Sequence, residues 1–203
     1  MKFQIFKTQC NTTEKIFISS LTILLGILTF NTFFYSTLDT LTILKYLLTV
    51  ILFLVLAFLA YYDFKKLEVH NTVSFVLMIT LVILNASIFL IYGSDIEIEV
   101  LNNWKYIPYQ NIIGALTLGS IFQLLVLITK EKGLGQGDVR IAIITGMLIG
   151  FNNLLYWGYI TVFTALIYGF FLSYKKKRFK NLKIPLVPFM VLGIVIIILI
   201  NIQ

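Results

Sequence analysis

The chain has 203 residues, 59% of them hydrophobic and only 12% charged, with a mean hydropathy of +0.95 and a formal net charge of +7. An ordinary soluble domain is roughly 45–50% apolar and about 25% charged, so this is a polytopic membrane protein with almost no sequence left for a soluble domain. One cysteine, Cys10, and one histidine, His70, leave no disulfide framework, no Cys-x-x-Cys pair and no multi-histidine metal site, so neither a metal nor a cofactor is expected.

A membrane-spanning helix needs about 20 mostly apolar residues. Such runs fall at about 16–35, 41–62, 72–92, 110–129, 139–152, 154–174 and 184–202. Backbone polar groups in lipid must be satisfied within each segment, so the expected fold is all-α, a bundle of about seven transmembrane helices. The first run is too long for a signal-peptide core and no small-residue cleavage site follows Phe33-Phe34-Tyr35-Ser36, so it reads as a retained helix. The fifth run is short and is expected to begin inside the protein. Two units are expected: residues 1–40, a cytoplasmic segment with an extra transmembrane helix, and residues 41–203, a six-helix core.

The basic residues give the orientation. Lys2, Lys7 and Lys15 precede the first run, Lys65 and Lys66 follow the second, and Lys130, Lys132 and Arg140 flank the turn before the fifth. Lys175, Lys176, Lys177, Arg178, Lys180 and Lys183 follow the sixth. All lie on one side of a zigzagging chain. Only Lys45 and Lys105 lie on the other, alongside Asp39, Asp95, Glu97 and Glu99. The positive-inside rule then places the N-terminus, Asp63 and Asp138 on the cytoplasmic side of a cell membrane, and the C-terminus on the far side. Charges set in short loops, without interleaved aromatics, argue against nucleic acid. The Lys175–Lys183 run suits anionic lipid headgroups.

Carboxylates at membrane borders are costly and mark candidate functional sites. Asp63 ends the second run, and Asp138 closes Gly133-Leu134-Gly135-Gln136-Gly137-Asp138. There is no His-Glu-x-x-His, and no serine sits in a nucleophile motif, so carboxylates are the catalytic groups left. A pair suits peptide hydrolysis, because one must be ionised to deprotonate water and the other protonated to polarise the carbonyl. Gly135 and Gly137 would let the backbone turn tightly and approach a substrate strand. The bland reading is a helix N-cap for Asp138 and a solvated loop for Asp63. Ala142, Gly146 and Gly150 follow Asp138 at four-residue intervals, a small-residue face that would let the fifth helix approach the second closely, near Ala57 and Ala60. Glu68 and Glu131 read as solvated loop residues. His70 reads as an interfacial residue, with a possible role in tuning protonation.

Gly133–Ile141 followed by Gly146-Met147-Leu148-Ile149-Gly150 resembles the second motif of the prepilin peptidases (type IV leader peptidases), aspartic membrane proteases of the Gly-x-Gly-Asp type. Asp63, Lys65, Lys66 and Val69-His70-Asn71 resemble the first motif, with His70 where the family has proline. Ile184-Pro185-Leu186-Val187-Pro188-Phe189 is similar to a late Ile-Pro-Phe-Gly-Pro-Phe segment, with Val187 in place of the glycine. The resemblance implies that Asp63 and Asp138 are the catalytic pair. It further implies that the chain removes short basic leaders from prepilin-like or preflagellin-like proteins at the cytoplasmic face. The absence of a cysteine-bearing insert resembles the compact, peptidase-only members. The rival readings are a transporter or proton pathway, whose acids usually lie mid-membrane, and a presenilin-like peptidase, for which no Pro-Ala-Leu segment is found.

Overall fold

The structure is a computed structural model that describes residues 40–93, 97–101, 104–131, 133–176 and 183–201. The run at 16–35, Cys10, and the unit expected at 1–40 but for its last residue lie outside the described residues.

Helix α1, Thr40–Lys66, has 27 residues, about 40 Å of helix against a hydrocarbon core of about 30 Å. It ends where Leu67 turns into the left-handed region at φ 56° and donates its N–H to the Asp63 carbonyl at 2.7 Å. Helix α2, Asn71–Tyr92, starts at His70, whose Nδ1 accepts the Val73 N–H. The His70 φ is −67°, the value at which a proline ring is held. The backbone therefore keeps a proline-compatible conformation, and imidazole adds a cap that proline lacks.

A short antiparallel hairpin follows, β1 Ile98–Leu101 with β2 Trp104–Tyr106. It is a small addition to the bundle, whose all-α class stands. Ile98, Val100, Trp104 and Tyr106 favour strand, and pairing satisfies the backbone of a connection whose hydropathy carries no helical signal. Helix α3, Pro108–Thr129, opens with a proline in its first turn, where no intrahelical N–H is needed. Helix α4, Gln136–Ile149, has only 14 residues and is stopped by Gly150 at φ 70°. A 3₁₀ turn, Phe151–Asn153, leads into α5, Leu154–Lys176, and the last helix is α6, Val187–Asn201.

Four helices, α1, α2, α3 and α5, are long and apolar enough to cross a membrane. Of the seven spans expected from hydropathy, six fall among the described residues, as four helices of full length and two short ones held inside them. Burial separates the two kinds. In α6, Met190, Val191, Ile194, Val195 and Ile198 are buried, and Ile141 and Ile144 of α4 join them in a core with Leu56 and Leu59 of α1. Trp157 of α5 reaches in and donates Nε1–H to the Met190 carbonyl at 3.1 Å. Leu90 of α2 and Phe171 of α5 instead stand 82% and 72% open, as lipid-facing residues do. Short helices suffice at the centre because neighbouring helices, not lipid, surround them.

The small-residue face of α4 meets a different partner from the one expected. A Cβ on Gly146 would stand 2.5 Å from the Ala115 nitrogen, and one on Gly114 would stand 2.8 Å from the Gly146 carbonyl oxygen. Gly150 abuts Asn111, which donates Nδ2–H to the Met147 carbonyl at 2.8 Å. Gly146 and Gly150 therefore set the approach of α4 to α3, not to the helix carrying Asp63, while Ala142 is buried in the core. Backbones come this close only where neither has a side chain. Gly114 and Ala115 supply the matching small residues on α3.

Candidate active site

Asp63 lies in the last turn of α1, between Tyr62 and Phe64. It is 4% exposed, so the solvated-loop reading fails. A buried carboxylate requires hydrogen-bond partners, and one comes from 124 residues away: the Val187 N–H donates to Asp63 Oδ2 at 3.0 Å. Val187 is the first residue of α6, and helix N-termini carry unpaired N–H groups and a positive dipole end that favour an anion. The extended Ile184-Pro185-Leu186 segment delivers this amide, and Pro188 sits in the first turn, where its missing N–H costs nothing. The third motif therefore does more than start a helix. It hands a donor to the first acid. Tyr168 of α5 packs between Phe64 and Phe189, with ring centroids 5.9 and 5.3 Å away.

Asp138 lies in the first turn of α4, half-buried. Its Oδ2 accepts the Gly135 N–H at 2.9 Å, and its own N–H donates to the Gly135 carbonyl at 3.1 Å. The capping role is real, but Asp138 is the third residue of the helix closing back on the cap, not the cap itself. Gly135 takes the cap position at φ −96°, which any residue can adopt. The need for glycine is clearer at Gly137. A Cβ there would stand 2.5 Å from the Val69 Cβ, so Gly137 lets the loop after α1 lie directly on the start of α4. Tight turning is not what these two glycines supply, because positive φ among the glycines occurs at Gly93 and Gly150.

A second contact ties the same two segments. Arg140 Nη1 donates to Asn71 Oδ1 and to the Asn71 carbonyl, the latter at 3.4 Å, and its guanidinium lies 5.7 Å from the Phe75 ring centroid. The end of α1, the Val69–Asn71 loop, the start of α4 and the start of α6 thus meet at one end of the bundle. Asp63 and Asp138 both lie at that end, Asp63 held by the Val187 amide and Asp138 in the turn that packs on Val69. Gly135 and Gly137 belong to the same cluster. Gly146 and Gly150 lie farther along α4, against α3. Glu68 and Glu131 are exposed. His70 caps α2, with its ring edge-on to Tyr62 at 5.1 Å. Among the described residues, no three His, Cys, Asp or Glu side chains cluster as a metal site requires.

Sequence reasoning missed the Val187 amide, the Arg140–Asn71 contact and the Gly114 partner. The Ile-Pro-x-x-Pro-Phe pattern was the visible signal for the first. Gly114-Ala115 with Gly119-Ser120 was the signal for the last.

No curated protein and no solved structure matches the chain. The sequence profile of the type IV leader peptidase family matches residues 50–170, which is more than half of the chain and includes both aspartates. That span holds α2 and α3 whole, most of α1 and α5, and the Gly-x-Gly-Asp turn whose packing on Val69 has just been described, and on that match this membrane protein belongs to the type IV leader peptidase family.

Proposed function

We propose that the chain is an aspartic endopeptidase that removes short basic leaders from prepilin-like or preflagellin-like proteins at the cytoplasmic face of the cell membrane, with Asp63 and Asp138 as the catalytic pair. The observation that carries this reading is their convergence. Two carboxylates 75 positions apart in sequence lie at the same end of the bundle, where the segments that carry them pack together, and each accepts a backbone N–H. Working as a pair on one peptide bond, the two carboxylates would share a proton, because the first charge opposes the second. One takes a proton from water as it attacks the peptide carbonyl, and the other, protonated, hydrogen-bonds the carbonyl oxygen and later supplies a proton to the leaving amine. The amides of Val187 and Gly135 fix the orientation of the two groups. No metal or cofactor takes part.

The test is cleavage of a membrane-inserted prepilin-like substrate, followed by the mobility shift on leader loss. Asp63→Asn and Asp138→Asn should each abolish it, the double variant should be no worse, and Glu68→Gln and Glu131→Gln should retain it. Full processing by either Asn variant refutes the aspartic mechanism. Cys10 tests the orientation. A membrane-impermeant thiol reagent should label it only after permeabilisation, and labelling in intact cells would place the site on the other face.

A further inference from the structure

A cavity of about 620 Å³ lies between α2, α3 and α4. One wall is a stripe of α4, Val139, Ile143 and Met147. Val139 is the residue after Asp138, and the stripe runs from there for about 12 Å down the helix. The cavity therefore begins beside the candidate active site and continues into the apolar interior. The facing walls include Val82 of α2, which is 42% exposed.

Two features distinguish the occupant from a lipid chain. Asn85 of α2 lines the cavity and is 2% exposed, yet its Oδ1 has no hydrogen-bond partner. Its Nδ2 is used locally, donating to the Leu81 carbonyl at 3.3 Å. A buried acceptor left unpaired costs about 1–3 kcal/mol, and an acyl chain carries no donor to relieve it. Polypeptide side chains do. The second feature is the small residues Ala86, Ala115 and Ser120 along the walls. Small residues let a helix backbone come close, whereas flexible acyl chains have no need of them.

We propose that this groove receives a membrane-spanning apolar helix of the protein being cleaved, entering sideways from the bilayer, with a side-chain hydrogen-bond donor of that helix meeting Asn85 Oδ1. The inference rests on the endopeptidase reading above and adds to it. The groove would hold the substrate's own span against α4 so that the peptide bond at its border lies beside Asp138. Specificity would then come from the helix as well as from the leader.

The experiment compares two substrates in proteoliposomes: a membrane-anchored protein with leader and apolar helix, and a water-soluble peptide with the same junction and no helix. Ala86→Phe and Ser120→Trp narrow the groove. Both positions are exposed, so added volume does not enter the core. The ratio of kcat/KM for the anchored over the soluble substrate should fall about tenfold or more. Because both substrates sample the same folded enzyme, partial misfolding cancels from the ratio. Leu155→Trp, on the lipid face of α5, should leave the ratio where it was. In parallel, benzoylphenylalanine at position 82 should photocrosslink to the anchored substrate, and the same probe at position 155 should not. An unchanged ratio, or adducts at position 82 to lipid alone, overturns the groove proposal while leaving the endopeptidase reading intact. Failure of the unsubstituted protein to cleave either substrate refutes that reading and the groove with it.

Discussion

The crossing of α3 and α4 makes a sharp prediction at Gly146. Replacing it with alanine adds one methyl carbon, which would stand 2.5 Å from the Ala115 nitrogen and closer still to the Gly114 carbonyl oxygen. Ordinary van der Waals contact begins near 3.4 Å, so α3 and α4 must part by about 1 Å at that level. No rotamer offers an escape, because both neighbours are backbone. Overpacking of this kind costs about 1–3 kcal/mol. For a chain of this size that is a fall of roughly 3–10 °C in Tm. Asp138 lies two turns away on the same short helix, so part of the shift reaches it, and misplacing a catalytic group by about 1 Å costs roughly a hundredfold in rate. Gly158→Ala is the control. Nothing lies within 4 Å of a Cβ there, and alanine is the better helix former by about 1 kcal/mol. Thermal unfolding in detergent and cleavage of a membrane-inserted substrate are measured on both variants. If Gly146→Ala unfolds at the temperature of the unsubstituted protein, or if Gly158→Ala falls as far, the Gly114–Gly146 crossing is not what holds α4 in place.

The Gly137→Ala change should reduce cleavage strongly, because its methyl would collide with the Val69 Cβ; Val69→Gly in the same protein, which removes that atom, should restore part of the loss, and no restoration would mean that Gly137 acts otherwise. His70→Pro should keep fold and activity, since His70 already holds φ −67° and the change removes the weak 3.4 Å cap to Val73 and an edge-on ring contact with Tyr62; a collapsed yield would contradict this. Leu67→Gly should raise Tm slightly, about 1 kcal/mol of stability, by relieving a left-handed leucine; a fall would show that the Leu67 side chain contributes more than the strain costs.

The membrane class and the positions of the helices were legible from composition and hydropathy alone. The runs read at 72–92, 110–129 and 154–174 correspond to Asn71–Tyr92, Pro108–Thr129 and Leu154–Lys176, because a helix in lipid must satisfy its backbone within one contiguous apolar segment. The same argument is blind to depth. A helix wrapped by other helices and one wrapped by lipid are equally apolar, so hydropathy read α6 as a full span, although it has 15 residues, and only the shortness of the fifth run set α4, with 14, apart. Hydropathy also carries no trace of the β1–β2 hairpin, a short pairing between two long helices.

Asp63 and Asp138 could be singled out one at a time, since each is a charge at the border of an apolar run. That they lie at the same end of the bundle, and what fixes them, is a matter of contacts between distant segments. The amide that Asp63 accepts comes from Val187, and a backbone N–H has no signature in a residue name. The glycines show the same division. Four-residue spacing places Asp138, Ala142, Gly146 and Gly150 on one side of a helix, because the helical period is local. Which neighbour occupies that side depends on which surface offers matching small residues at the same level. On α3 those are Gly114 and Ala115, and only the packed bundle sets them opposite Gly146.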